Sequence, residues 1–146
     1  AKKSGAGIYF LVKTSNPGAE TFQGHGEPPL AEKVAEKVAE WGADYMGENG
    51  WSNIGAVVGA TRPKELKRFR KLMPRTPLLL PGFGFQGGTA EGISAAFNKN
   101  RAGAIVNSSR GITLAHLRPE LQHLPSWEER TEFAIVQMKE QLETIF

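Results

Sequence analysis

Four short apolar runs constrain the fold of this chain more than any other feature: Ile8 to Val12 (IYFLV), Ile54 to Val58 (IGAVV), Pro77 to Leu80 (PLLL) and Ala104 to Val106 (AIV). Each is nearly continuous in apolar character and bounded by Gly, Pro, Thr, Ser or Asn. Such runs read as strands buried on both faces, which belong mainly to parallel sheets. Helical periodicity fills the gaps between them. From Pro29, the residues Leu30, Val34, Val38, Trp41 and Tyr45 recur at spacings of three and four, with Glu and Lys on the other face. Pro63 suits the first turn of a second helix, whose buried stripe is Leu66, Phe69 and Met73. A third helix spans about 90 to 98, interrupted by Gly92. A fourth starts at Ser126, with Glu129 three residues later as a capping-box pair, and a stripe of Trp127, Ala134, Met138, Leu142 and Ile145.

Strand and helix therefore alternate four times, with no composition shift to mark a linker. The expectation is a single α/β domain over residues 1–146, with a parallel sheet of the (β/α) TIM-barrel type. Four units are half of a closed eight-stranded barrel, which typically needs about 250 residues. A sheet of this kind left alone exposes two edges and much apolar surface.

Composition narrows the chemistry. The 146 residues contain no cysteine, which removes disulfides, thiolate metal sites and cysteine nucleophiles, and fits a cytoplasmic protein. No apolar run approaches the roughly 20 residues of a membrane span, and AKKSGAG at the amino terminus lacks the apolar centre of a signal peptide. The formal net charge of +3 is too small and dispersed to argue for nucleic acid, although it suits an anionic small molecule. His25, His116 and His123 have neither the spacing nor the carboxylate partners of a metal site. Asp44 is the single aspartate, so a mechanism needing an Asp pair, or an Asp beside a Lys, cannot be built from these residues alone.

In α/β folds the chemistry gathers where strands hand over to helices. The four such loops are Lys13 to Ala19 and onward, Gly59-Ala60-Thr61, Pro81 to Gly88, and Asn107 to Gly111. They are rich in hydroxyls, amides and glycine, a lining that binds and orients but offers little acid–base chemistry. Lys13 reads as a rim lysine turned to solvent rather than a catalytic group, and Trp51 and Phe22 as loop anchors packed on the core. Gly82 to Gly87 (GFGFQG) matches the dinucleotide pattern G-x-G-x-x-G. It follows the third strand rather than the first, however, and no acid lies about 20 residues on to bind a ribose. A phosphate reading fits better. Glycines admit backbone N–H groups to an anion, and the next loop brings Arg110 alongside, while the bland alternative is a glycine-rich turn near an unrelated surface arginine.

With these residues in place, the chain resembles the carboxyl-terminal half of the orotidine 5′-phosphate decarboxylase family. The resemblance is closest to the divergent branch whose fifth strand ends in Thr-Ser-Asn-Pro-Gly-Ala. It rests on LVKTSNPGA (Leu11 to Ala19), IGAVVGAT (Ile54 to Thr61), LLLPGFGFQGG (Leu78 to Gly88) and IVNSSRGI (Ile105 to Ile112), in family order and at family spacing across nearly the whole chain. It implies a dimeric (β/α) barrel and the conversion of orotidine monophosphate to UMP and carbon dioxide without cofactor or metal. It further implies that Ser15 hydrogen-bonds the pyrimidine, and that Gln86, on a loop that closes over the ligand, bridges base and phosphate. Gly87, Ser109 and Arg110 would hold the phosphate. The family's Asp-x-Lys-x-x-Asp array, which carries the decarboxylation, has no counterpart here. The expectation is therefore binding residues, no catalytic residue, and no decarboxylation by this chain alone. Its amino-terminal half would be absent, and the chain would pair with that half or with another copy of itself. A non-catalytic phosphate-binding half-barrel and another phosphosugar-handling barrel enzyme remain as alternatives.

Overall fold

The computed structural model describes residues 5–84 and 86–146, so Phe85 of the glycine-rich loop and the first four residues of the amino-terminal stretch lie outside it. Four parallel strands form one sheet in the order β1-β2-β3-β4, with β1 at Ile8–Lys13, β2 at Ile54–Val58, β3 at Leu78–Pro81 and β4 at Ala104–Asn107. Sequential order with a helical crossover after each strand is the repeating unit of a (β/α) barrel. The expected strands agree with these to within one residue at either end.

The crossovers contain α1 (Ala19–Gln23), α2 (Leu30–Ala43), α3 (Pro63–Leu72), α4 (Ala90–Ile93), α5 (Ser109–Thr113) and α6 (Trp127–Glu143). Pro63 opens α3, and Leu66, Phe69 and Met73 are all buried, as their spacing predicts. Ser126 caps α6 by accepting the Glu129 N–H at 3.2 Å. Thr89 does the same for α4 through the Gly92 N–H, and the chain then tightens into a 3₁₀ turn at Ser94–Ala96 rather than continuing as α-helix to Asn98.

Two helical stripes depart from expectation. In α2 the buried face is Ala31, Ala35, Val38 and Gly42, while Leu30 and Trp41 are largely exposed. Small residues let the helix lie close on the sheet: a Cβ on Gly42 would stand 2.6 Å from the Ser52 hydroxyl. That buried hydroxyl donates to the Gly42 carbonyl and accepts the Ile54 N–H, each at 3.0 Å. Trp41 instead leans on Phe10, ring centroids 5.1 Å apart. In α6 Ala134 is buried and Met138, Leu142 and Ile145 pack on the core, but Trp127 stands exposed in the first turn. Phe22 is likewise exposed (74%) rather than packed as an anchor.

The strands are not buried on both faces. Side chains alternate across a strand, and the helices cover only the face carrying Val12, Ala56, Val58, Leu78 and Leu80, all at most 2% exposed. On the opposite face Leu11 pairs in register with Val57, Val57 with Leu79, and Leu79 with Ile105, forming one apolar row. Leu11 and Ile105, at its ends, are 58% and 57% exposed. In a closed barrel this would be the packed interior.

Arg70 holds the amino-terminal end of the sheet together. Its guanidinium donates to the carbonyls of Ala96 (3.0 Å), Met73 (2.9 Å), Thr76 (2.9 Å) and Gly103 (2.8 Å), and lies over the Trp51 ring. Burial pulls its pKa down to about 10, and the four carbonyl acceptors work in the opposite sense by favouring the cation.

Candidate functional site

The carboxyl ends of the four strands share one rim, and the loops after β1, β3 and β4 meet there. The β3 loop turns sharply because Gly82, Gly84 and Gly87 all have positive φ, the region that side chains disfavour. Closure is backbone to backbone: Gly84 N–H to Gly88 O at 2.9 Å, Gly87 N–H to Gly84 O at 2.8 Å, and Gly88 N–H to Gly82 O at 3.1 Å. A Cβ on Gly82 would lie 2.6 Å from Gln86 Oε1. Glycine there leaves the Gln86 side chain room to fold back over the rim.

Gln86 then meets the β1 loop. The Ser15 hydroxyl donates to Gln86 Oε1 at 2.9 Å, joining residues 71 apart in sequence. The β2 loop does not obstruct this contact. A Cβ on Gly59 would press on Ser15, with its N, Cβ and Cα at 3.0–3.2 Å, so glycine lets the β1 loop lie across the end of β2.

On the other side of Gln86, the β3 and β4 loops enclose a cavity of about 190 Å³. Gln86, Asn107, Ser109 and Arg110 contribute polar groups to it, and Gly82 and Gly111 supply backbone. Its walls are tied together. The buried Ser108 hydroxyl donates to the Phe83 carbonyl at 2.9 Å, and Asn107 Nδ2 donates to Ser109 Oγ at 3.2 Å. The β4 loop winds into α5, a short helix that the sequence pattern did not reveal, beginning with Ile112 N–H to Ser108 O at 3.1 Å. A cavity with amides, hydroxyls, glycine backbone and one guanidinium suits a compact oxyanion.

Four of the five expected site residues therefore converge. Ser15 touches Gln86, and Gln86, Ser109 and Arg110 line one cavity. Gly87 sits on the far side of the β3 loop, lining a separate cavity with Thr89 and Gln141. Among the described residues no group of three or more His, Asp or Glu side chains is arranged to hold a metal ion, and no helix is long and apolar enough to cross a membrane.

Lys13 is not a rim lysine. β1 bulges between Leu11 and Lys13: Leu11 pairs with Val57 and Lys13 with Val58, so two steps of β1 oppose one of β2. The bulge turns Lys13 away from the open face to the helix side, where it is only 3% exposed. Its Nζ donates to Glu20 Oε1 at 2.8 Å and approaches Glu65 Oε2 at 3.4 Å. Arg62 pairs with the same two carboxylates, with Glu65 Oε1 at 2.9 Å. The Lys13 hydrogen bond, then the charges of Lys13 and Arg62, hold the Glu20 carboxyl below its ordinary pKa. The rarity of buried lysines hid this pairing, and a bulge leaves no signal in the sequence.

Four βα units in sequential order, helices on one face and a polar cleft at the strand ends define a (β/α)-barrel segment. The sequence matches the Orotidine 5'-phosphate decarboxylase / HUMPS family over residues 1–121, and the chain belongs to that family. It is 45% identical over 142 residues to the orotidine 5'-phosphate decarboxylase of Rhodopirellula baltica, covering 94% of this chain and 47% of that protein. The OMP decarboxylase structure from Leishmania donovani superposes with a TM-score of 0.70 at 29% identity, over 95% of this chain and 47% of that one. The UMP synthase structure from the same organism gives 0.68 at 31% identity, over 95% and 28%. The chain spans about half the length of the curated relative it matches over 142 residues.

Proposed function

We propose that this chain supplies the pyrimidine- and phosphate-gripping part of an orotidine 5′-phosphate decarboxylase, which converts orotidine monophosphate to UMP and carbon dioxide in a cytoplasmic pathway of pyrimidine synthesis. The observation that carries the reading is the contact of Ser15 with Gln86 beside the cavity that Gln86 shares with Arg110. One glutamine thus faces both a hydroxyl suited to a base edge and a guanidinium suited to phosphate, the arrangement a nucleotide monophosphate needs. Ser15 and Gln86 read the pyrimidine, and Gln86, Ser109 and Arg110 hold the phosphate. Gly87 serves as the turn that lets the β3 loop close. The phosphate lies remote from the bond that breaks, so gripping it contributes by driving loop closure and orientation rather than by chemistry.

No decarboxylation is expected from these residues alone, because the Asp-x-Lys-x-x-Asp array has no match in the chain. The row Leu11, Val57, Leu79 and Ile105 supports pairing of this sheet with further strands, from the amino-terminal half of a barrel or from a second copy. UMP titration of the protein and of its Arg110→Ala and Gln86→Ala variants tests the site. Arg110→Ala is expected to weaken UMP by about 1.5–3 kcal/mol, the scale of a charge-assisted hydrogen bond. Unchanged affinity in both variants would overturn the assignment. A non-nucleotide phosphosugar site would instead bind ribose 5-phosphate as well as UMP.

A further inference from the structure

We infer that Lys13 is a positioning residue: held between Glu20 on α1 and Glu65 on α3, it fixes the 14–18 loop so that Ser15 reaches Gln86. The effect on ligand binding rests on the proposed roles of Ser15 and Gln86, whereas the hold on the loop does not. Only five residues separate the end of β1 from the start of α1. The Lys13–Glu20 pair spans them seven residues apart and closes the loop on itself. Glu65 and Arg62 tie that closed loop to α3, an element from the next βα unit.

Neutral bonds complete the frame. Gly59 N–H donates to the Lys13 carbonyl at 2.8 Å, and Thr14 N–H donates to Gln23 Oε1 at 3.0 Å. Both hold the peptide between Lys13 and Thr14, just before Ser15, and neither connects α1 to α3. The charged groups bordering the cluster are Glu32, Lys64 and Arg68, which line the adjoining cavity. Arg68 is itself paired with Glu32 at 2.8 Å. A buried ammonium left without its carboxylates has no comparable partner to turn to, whereas the carboxylates left without Lys13 keep Arg62. Removing Lys13 takes away the tie at the end of β1 and leaves Arg62 as the one described ion-pair link between Glu20 and α3, so the loop should loosen while the phosphate cavity, built by β3 and β4, stays in place.

The test is hydrogen exchange on the ligand-free protein and on Lys13→Met and Glu20→Gln, with UMP and inorganic phosphate titrated separately. Both variants are expected to exchange faster over residues 14–24 and as wild type over 104–121. UMP affinity should fall about 10-fold, within the penalty that displaced contact groups incur, while inorganic phosphate affinity holds. Unchanged exchange over 14–24 in the variants overturns the inference. Glu20 is half-exposed, so Glu20→Gln decides the matter if Lys13→Met does not fold. A Ser15→Ala control separates the two readings. If it leaves UMP binding intact, the base-reading role of Ser15 fails, and the exchange data still decide whether Lys13 holds the loop.

Discussion

Replacing Arg70 by methionine, which keeps the aliphatic stem and removes the guanidinium, should cost this protein about 3 kcal/mol. Of its four carbonyl partners, Gly103 O still receives the Leu78 N–H (2.9 Å) and Met73 O the Thr76 N–H (3.4 Å). The carbonyls of Ala96 and Thr76, in residues 0% and 2% exposed, lose the donor that Arg70 gave them. Each buried acceptor left unsatisfied costs about 1–3 kcal/mol. The lost stacking on Trp51 adds about 0.5–1 kcal/mol. Relief of the desolvated cation, whose burial lowers its pKa to about 10, offsets part of this. In urea, a chain of this size unfolds with a slope of about 2 kcal/mol per molar, so the midpoint should drop by about 1.5 M. Arg70→Lys should fall between, because an ammonium has three donors and lacks the planar fork that spans three chain segments. If both variants unfold within about 0.3 M of wild type, the guanidinium is not what joins α3 to the starts of β3 and β4.

Two further outcomes follow from the same geometry. The Glu20 carboxyl has a lowered folded-state pKa, so its contribution is fully present above the ordinary value of 4.5 and is lost as pH falls through the folded-state value. Urea midpoints of wild type and Glu20→Gln should therefore differ at neutral pH and converge in acid, and a constant difference down to pH 3 would contradict the pairing with Lys13. Gly103→Ala and Gly50→Ala both place a side chain at positive φ (112° and 79°), but only the first meets an obstacle, Trp51 at 2.6 Å, against nothing within 4 Å at Gly50. Thermal unfolding should show roughly 1 kcal/mol of loss for Gly50→Ala and clearly more for Gly103→Ala.

The strands and their order were legible because a buried strand needs an apolar run wherever it sits, and each run here ends in turn residues. The α3 stripe was legible for the same reason, since Leu66, Phe69 and Met73 have no other place to go. Where close approach rather than bulk decides burial, the reading went astray. α2 packs on Ala31, Ala35 and Gly42, and the large Leu30 and Trp41 that dominate its hydrophobic pattern stay outside. The loop residues Ser15, Gln86, Ser109 and Arg110 were singled out through the family motifs that carry them, and the fold brings all four to one rim. Lys13 was misread because lysines are seldom buried, and the one-residue bulge that turns it to the helix side leaves no mark in the sequence. The short helices α1 and α5 escaped because five residues are too few to show a period.

Gly59 has a consequence reaching past its own loop. Any side chain there would push Ser15 away by a few tenths of an ångström. That displacement is enough to stretch its 2.9 Å bond to Gln86 toward the limit of a hydrogen bond. The cavity between β3 and β4 would be untouched, since Gly59 takes no part in it. Under the roles proposed for Ser15 and Gln86, one methyl group at the mouth of β2 would thus sort two kinds of descendant from the same scaffold, one that reads a base together with a phosphate and one that holds the phosphate alone.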